Sequence, residues 1–227
     1  MISIYTFTLG RDFYLKNLIN SIKDLGGHND YEHHICYQGV EPSPEMEVIF
    51  KESPNIKVHV WKENIGIAEG MNKIIPCLKG DIIIKMDDDC VIRSNNFFKH
   101  IEQVNKLYPK LVFSPYPVGL INNPGGPRGY SHMAKYSKTT DTWYTIRMVN
   151  HIGGFARVAP SAVVKEWTFE PDLIEGQSGN EDSQHSRKCL DLDIPMAYLE
   201  NALIVEHQES TLGQHQRYGE GYFGKRF

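Results

Sequence analysis

The first half of the chain alternates short apolar runs with segments whose apolar residues recur at helical spacing. Three runs rich in β-branched and aromatic residues predict strands: "ISIYTFT" (2–8), "HHICYQ" (33–38) and "IKVHVW" (56–61). Leu15, Leu18 and Ile22 share one face of a predicted helix between the first two strands. Strands and helices in alternation are typical of a parallel α/β sheet with helices on its faces.

The ends of the helices also have sequence signals. Asp12 is predicted to cap the first helix, and Gly26 to end it. A later helix is predicted within "ENIGIAEGMNKIIPCLKG" (63–80), where Pro76 should introduce a kink. The second half is less regular and contains two long loops, "GLINNPGGPRGYSH" (119–132) and "EPDLIEGQSG" (170–179). Because patterned segments flank both loops, we expect them to be functional.

The segment "GDIIIKMDDDC" (80–90) is the strongest chemical signal in the chain. Its apolar run predicts a buried strand, and Asp87, Asp88 and Asp89 follow that strand directly. Ligands of open α/β sheets bind beyond the carboxyl ends of the strands, and a hard divalent cation such as Mg²⁺ or Mn²⁺ prefers carboxylate oxygens and substrate phosphates. The alternative interpretation of the three aspartates is a solvated acidic turn that caps the next helix.

Composition narrows the class of protein. The 227 residues carry a formal net charge of −4, which gives no electrostatic support for a stable nucleic-acid partner. The four cysteines form no CxxC pair, as expected of free thiols in a reducing compartment. No apolar stretch approaches the roughly 20 residues of a transmembrane span, and the first residues do not resemble a signal peptide. We therefore expect a cytoplasmic protein without a transmembrane segment.

Four segments, in this order, resemble glycosyltransferase family 2, whose members have the GT-A fold. They are "ISIYTFTLGRDFYLKNLINSI", "ENIGIAEGMNKIIPCLKGDIIIKMDDDCVI", "HIGGFARVAPSAVVKEW" and "GNEDSQHSRKCLDLDIPMAYLENALIVEH". The resemblance implies an α/β protein with a single GT-A domain, built on a Rossmann-like, mostly parallel central sheet flanked by helices. It further implies that residues 1–110 form the nucleotide-sugar-binding half of this one continuous domain. Residues 111–227 would then form the acceptor-binding half, with a C-terminal flap.

The resemblance also implies roles for individual residues. Asp87, Asp89 and His207 correspond to the metal site, which would hold Mn²⁺ or Mg²⁺, and Asp87 and Asp88 are also candidates for contacts with the nucleotide. The remaining candidates for the nucleotide-sugar site are Thr8, Gln38, Asn64, Gly66 and Asn72.

The "GNED" segment supplies the candidate catalytic residues. Asp182 corresponds to the general base, and Glu181 would orient it or contact the acceptor. Asp182 is expected near the start of a helix, whose dipole favours an ionised carboxylate. Arg187 would be either an ion-pair partner of Asp182 or a substrate contact.

The chain departs from the family pattern at two places. The second strand ends in Tyr37 and Gln38, where the family usually has an aspartate that binds the base. Gln38 can still hydrogen-bond a base edge, and Tyr37 is a candidate to stack on it. The Q-x-x-R-W motif of processive synthases is absent, which favours transfer of a single sugar. The C-terminal "HQRYGEGYFGKRF" (215–227) is either a flap over the diphosphate or a frayed tail.

The predicted function is that of a metal-dependent, inverting glycosyltransferase. It would move one sugar from a nucleotide-diphosphate sugar, a UDP-sugar above all, to an acceptor hydroxyl. The alternatives are a nucleotidyltransferase and a non-catalytic nucleotide- or sugar-binding module of the same fold. The acceptor is left open between a glycan, a lipid-linked sugar, a protein side chain and a modified base.

Overall fold

The structure is a computed structural model that describes residues 1–119, 129–165, 167–170 and 180–208. Its strands are β1 (Ile2–Thr8), β2 (Tyr31–Gln38), β3 (Ile56–Trp61), β4 (Ile82–Met86), β5 (Cys90–Ile92), β6 (Val112–Ser114), β7 (Tyr116–Val118), β8 (Ser131–Ser137), β9 (Thr142–Val149), β10 (Ala156–Pro160), β11 (Met196–Leu199) and β12 (Ile204–His207). Its helices are α1 (Asp12–Leu25), α2 (Pro44–Lys51), α3 (Ile67–Ile74), α4 (Phe97–Leu107), α5 (Ser161–Val164) and α6 (Asn180–Asp191).

The large sheet has the order β3-β2-β1-β4-β10-β6-β11-β9-β8. Strands β3, β2, β1 and β4 are parallel, so their carboxyl ends lie at one edge. All five residues of β4 are buried, as expected of a parallel strand covered on both faces. Beyond β4 the sheet is mixed, because β10 runs antiparallel to both of its neighbours while β11 is parallel to β6. The predicted α/β fold class is confirmed.

A second, three-stranded sheet has the order β5-β12-β7. Strand β5 begins one residue after Asp89, and its pairing with β12 places His207 opposite Cys90. The small sheet therefore brings the end of β12 to the three aspartates, across more than a hundred residues of sequence.

Two local predictions were wrong. Asp12 is the first residue of α1 and does not cap it; Arg11 is the cap residue and forms no side-chain cap bond. The carboxylate of Asp12 instead accepts hydrogen bonds from the Tyr37 hydroxyl at 3.0 Å and the Ser43 backbone N–H at 3.3 Å. Pro76 does not kink α3, because the helix ends at Ile74 and a 3₁₀ turn follows it.

The division of the chain into a donor half and an acceptor half stays a prediction. The proposed C-terminal flap and nearly all of the second long loop lie outside the described residues. Among the residues that are described, no helix has both the length and the apolar character that crossing a membrane requires.

Candidate active site

The three aspartates occupy a turn between β4 and β5. The Asp87 N–H donates to the Phe155 carbonyl at 2.8 Å, and the Cys90 N–H donates back to the Asp87 carbonyl at 3.1 Å. The first of these bonds joins the turn to Phe155, which immediately precedes β10. The Asp87 side chain keeps 33% of its surface exposed, whereas Asp88 and Asp89 are almost fully buried.

Asp88 is held by the loop between β1 and α1. The Thr8 hydroxyl donates to its carboxylate at 2.7 Å, and Arg11 donates through Nε at 3.0 Å and through a second contact from Nη2. Burial raises the pKa of Asp88, and Arg11 and Thr8 oppose that rise. Thr8 and Asp88 therefore contact each other directly, and the protein itself supplies the charge balance for Asp88.

Asp87, Asp89 and His207 converge at one point. One ligand atom from each of the three lies within 4.8 Å of the others, and His207 Nε2 lies 3.3 Å from Asp89 Oδ2. Carboxylate oxygens suit Mg²⁺ and Mn²⁺, and imidazole nitrogen is a ligand that transition metals accept. The residues present therefore fit a divalent cation, with the carboxylates on the large-sheet side and the imidazole from the small sheet.

Asp182 and Glu181 lie in the first turn of α6, where sequence placed them. Asp182 is partly exposed, and its Oδ1 lies 3.2 Å from Arg157 Nη1. Glu181 is 2% exposed and lies 3.9 Å from Lys85 Nζ. Burial raises the pKa of Glu181, while Lys85 opposes the rise. Lys85 also lies 2.8 Å from Asp87.

Sequence reasoning missed Lys85, Arg157 and Arg11, although each contacts a predicted site carboxylate. Lys85 interrupts an apolar strand, and a cation at such a position is a signal for a buried ion pair. The proposed ion pair between Arg187 and Asp182 is not formed. Arg187 is exposed on the outer side of α6 and lies 3.8 Å from Asp191.

Gly154 allows the backbone to pass beside the candidate base. A Cβ added to Gly154 would lie 2.2 Å from Asp182 Oδ1, whereas one added to Gly153 would be in ordinary contact at 3.6 Å from the Tyr198 hydroxyl. That hydroxyl accepts a hydrogen bond from the Gly153 N–H at 3.0 Å. The carboxylate of Asp182 therefore packs directly on a bare stretch of backbone.

Gln38, Asn64 and Gly66 lie together at the carboxyl ends of β2 and β3. Gln38 Oε1 accepts from the Ile65 N–H at 3.1 Å, and Asn64 Oδ1 accepts from the Gly66 N–H at 3.0 Å. Gly66 has φ of 78°, a conformation that favours glycine. The parallel arrangement thus gathers these three predicted residues at one edge of the sheet.

Asn72 and Tyr37 have structural partners. The Asn72 side-chain amide donates to the Phe169 carbonyl and accepts from the Phe169 N–H, both at 2.7 Å. Tyr37 is fully buried and its hydroxyl donates to Asp12. The interpretation of Tyr37 as a ring that stacks on the base is therefore wrong, because the ring is buried in the core.

With this geometry in place, comparison with known proteins decides the family. A family model described as "Glycosyl transferase family 2" matches residues 3–161, more than half of the chain. The chain belongs to glycosyltransferase family 2. No curated protein matches it.

The chain is similar in fold to several solved structures. S. aureus TarS 1–349 gives a TM-score of 0.67 at 16% identity, over 92% of this chain and 60% of that one. The same fragment has been solved in complex with UDP-GlcNAc, with a TM-score of 0.66 at 16% identity, 92% of this chain and 60% of that one. GalNAc-T7 with UDP, GalNAc and Mn²⁺ gives 0.65 at 12% identity, over 91% of this chain and 43% of that one.

These comparisons confirm the GT-A fold of the chain, but each covers only part of the proteins compared. The chain spans only 60% of the TarS fragment. The family match includes Thr8, Gln38 and the three aspartates, but it ends before Asp182 and His207. The predicted roles of those last two residues therefore depend on their position beside the aspartates and on the stated resemblance.

Proposed function

We propose that this glycosyltransferase is metal-dependent and inverting, and that it moves one sugar from a nucleotide-diphosphate sugar to an acceptor hydroxyl. The observation that carries the proposal is the convergence of Asp87, Asp89 and His207 on one point. A separate carboxylate, Asp182, lies at the start of α6 and connects to the same turn through Lys85 and Glu181.

The residues divide the chemistry between a donor side and an acceptor side. Asp87, Asp89 and His207 would hold the divalent cation, which when bound neutralises negative charge on a diphosphate leaving group. Asp182 would take the proton of the acceptor hydroxyl as that oxygen attacks the anomeric carbon. Arg157, with Nη1 3.2 Å from Asp182 Oδ1, would hold this carboxylate in place for that step.

Attack from the face opposite the leaving diphosphate inverts the anomeric centre. That outcome needs one general base, here Asp182, and one site for the leaving group, here the cluster of Asp87, Asp89 and His207. Glu181 is buried behind Asp182, so we assign it the role of orienting the first turn of α6 rather than contacting an acceptor.

We further propose uridine as the base of the donor. The structures of similar fold include complexes with UDP-GlcNAc and with UDP, and one with UDP and Mn²⁺. Gln38, Asn64 and Gly66 line the edge of the sheet where the nucleoside would lie, next to Thr8 and Asp88. Gln38 would take the place of the usual aspartate, although its side-chain oxygen already accepts from Ile65.

The donor side is tested by titrating UDP, GDP and ADP into the protein by calorimetry, with and without Mn²⁺. We expect UDP to bind only with the metal, and Asp89→Asn to abolish that binding. The matched control is Asp81→Asn, whose carboxylate is 89% exposed and whose loss should leave the affinity unchanged. Metal-independent binding of UDP, or full binding by Asp89→Asn, would contradict the proposed site.

The acceptor side is tested with Asp182→Asn, which keeps an oxygen near Arg157 but removes the base. We expect kcat to fall by about 10²- to 10⁴-fold, the usual contribution of general base catalysis, with UDP affinity unchanged. Asp191→Asn, on the exposed side of the same helix, is the control. NMR of the product anomer distinguishes inversion from retention. Release of pyrophosphate would instead indicate a nucleotidyltransferase, and binding of donor without any turnover a binding module.

A further inference from the structure

Two buried cations lie side by side beneath the candidate active site. Arg157 on β10 is the cross-strand neighbour of Lys85 on β4, and Tyr5 on β1 is the neighbour of Lys85 on the other side. Residues directly opposite each other on paired strands point to the same face. Lys85 is 3% exposed and Arg157 is 2% exposed. Lysine and arginine are almost never this buried unless they are paired with acids.

The acids that pair with them come from both sides of the active site. Lys85 Nζ lies 2.8 Å from Asp87 Oδ1 and 3.9 Å from Glu181 Oε1. Arg157 Nη1 lies 3.2 Å from Asp182 Oδ1. Since Glu181 and Asp182 are consecutive, the cations connect the candidate metal site to the candidate base in one continuous chain of charged groups.

Bulk water is largely excluded from Lys85, Arg157 and Glu181, which are all 2–3% exposed. A cavity of about 10 Å³ lies among Tyr5, Lys85, Arg157 and His185, enough for about one water molecule. Charge interactions are therefore screened less here than at the surface, and each partner strongly affects where the others lie.

We propose that Lys85 and Arg157 are positioning residues that couple the two sides of the reaction. Arg157 fixes the Asp182 carboxylate, and Lys85 joins Asp87 to the first turn of α6 while it competes with the divalent cation for Asp87. The inference rests on the proposed function for the identity of Asp182 as the base, but the contacts of both cations are independent of it.

Because Lys85 competes with the cation, its removal should raise Mn²⁺ affinity, whereas simple structural damage would lower it. A Lys85 ammonium 2.8 Å from Asp87 repels a second cation on the same carboxylate. Lys85→Met removes the repulsion, so the variant should bind Mn²⁺ about threefold or more tightly, on the order of the gain expected from losing one nearby charge. It also removes a contact of Glu181, so kcat should fall. A side chain that only supports the fold would weaken both properties.

Arg157→Met should separate binding from catalysis. Because Arg157 contacts Asp182 and not the metal ligands, Mn²⁺ and UDP affinities should stay within about twofold while kcat falls about tenfold or more, as for a mispositioned base. The KM of the donor should change little. Arg157→Lys retains the charge and should restore part of kcat.

The experiment measures three quantities on each variant. Free Mn²⁺ is measured by electron paramagnetic resonance, and backbone hydrogen exchange of residues 180–185 by mass spectrometry. Steady-state kinetics give kcat and the KM of the donor. The control is Lys73→Met, an exposed cation on α3 whose partner is Glu69 at 3.9 Å. If Lys85→Met fails to fold, Lys85→Met with Glu181→Gln removes both charges of the buried pair and tests the same competition.

The outcomes distinguish this inference from the proposed function. Tighter Mn²⁺ binding in Lys85→Met and faster exchange of α6 in Arg157→Met support the inference even if the wild type transfers no sugar. If the wild type is active and both variants behave like Lys73→Met, the inference is overturned while the function stands. Weaker Mn²⁺ binding in Lys85→Met, or equal losses of binding and kcat in Arg157→Met, also overturns it.

Discussion

At Gly154 the backbone lies so close to Asp182 that a single methyl group would occupy the space of the carboxylate. An added Cβ would be 2.2 Å from Oδ1 and 2.6 Å from Oδ2, which are the movable end of a side chain and not backbone. We therefore expect Gly154→Ala to fold normally, because the carboxylate can rotate away. The same displacement should lower kcat about a hundredfold, as a misplacement of about 1 Å at a reacting group does.

The neighbouring glycine provides the control for that prediction. Gly153→Ala places its Cβ 3.6 Å from the Tyr198 hydroxyl, an ordinary contact, so kcat should change little. Melting temperatures of both variants test whether they fold normally, and steady-state kinetics test whether kcat falls only in Gly154→Ala. Equal activity of Gly154→Ala and Gly153→Ala would show that Asp182 is not the base, or that it acts from another position.

The histidines of strand β2 should make the free energy of unfolding depend on pH. His33 is fully buried beside the Thr6 hydroxyl at 3.0 Å, and burial, with a smaller contribution from His34, lowers its pKa to about 3. His34 stacks on His59 with ring nitrogens 2.9 Å apart, and burial lowers the pKa of both.

The sign of the effect follows from which state binds more protons. Below the ordinary histidine pKa of 6.5 the unfolded chain takes up protons that folded His33 refuses, so the free energy of unfolding falls as pH drops from 6.5 towards 3. His33 alone contributes a slope of up to about 1.4 kcal/mol per pH unit. Urea denaturation at about pH 7.5, 6.5, 5.5 and 5.0 measures this slope. His33→Gln should flatten the slope; an unchanged slope in that variant would contradict the assignment.

Local pattern predicted the parallel half of the sheet well, because each of its elements contains its own signal. The apolar run of β4 and the spaced apolar residues of α1 are visible in a few consecutive residues. Strand β5 has only three residues, and its partner β12 lies more than a hundred residues away, so no local pattern predicts the pairing. The β8–β9 hairpin was missed because β8 is exposed on nearly every residue and has no apolar alternation.

The candidate site shows the same division. The cluster of Asp87, Asp89 and His207 was predicted through the family resemblance, and the structure brings these side chains together. The cations were not predicted, since their role depends on cross-strand register. Arg157 and Lys85 are 72 residues apart in the chain and become neighbours only when β10 pairs antiparallel with β4.

For the whole molecule, the candidate metal site joins two sheets. Asp87 and Asp89 follow β4 of the large sheet, and His207 ends β12 of the small one. A cation that binds only the folded state at about 100 times its Kd stabilises it by about 2.7 kcal/mol. For a chain of this size that is a rise in melting temperature of about 5 to 10 °C.

We expect Mn²⁺ alone to produce this rise in a single transition, and chelation to reverse it. His207→Gln should lose most of the shift, while His151→Gln, at an exposed loop position, should keep it. Thermal scans of the three proteins with Mn²⁺ and with EDTA make the comparison. A shift that survives in His207→Gln would place the cation elsewhere.

The pairing of β12 with β5 also gives the proposed cation site an order of assembly during protein synthesis. Proteins are made from the N-terminus, and their early segments can begin to fold before the end has been translated. A ribosome that has added residue 161 has translated the whole family-matched segment, including all three aspartates. It has delivered neither Asp182 nor His207. Under the roles proposed for His207 and Asp182, such a nascent chain has neither a complete cation site nor the base, and activity requires translation at least as far as His207.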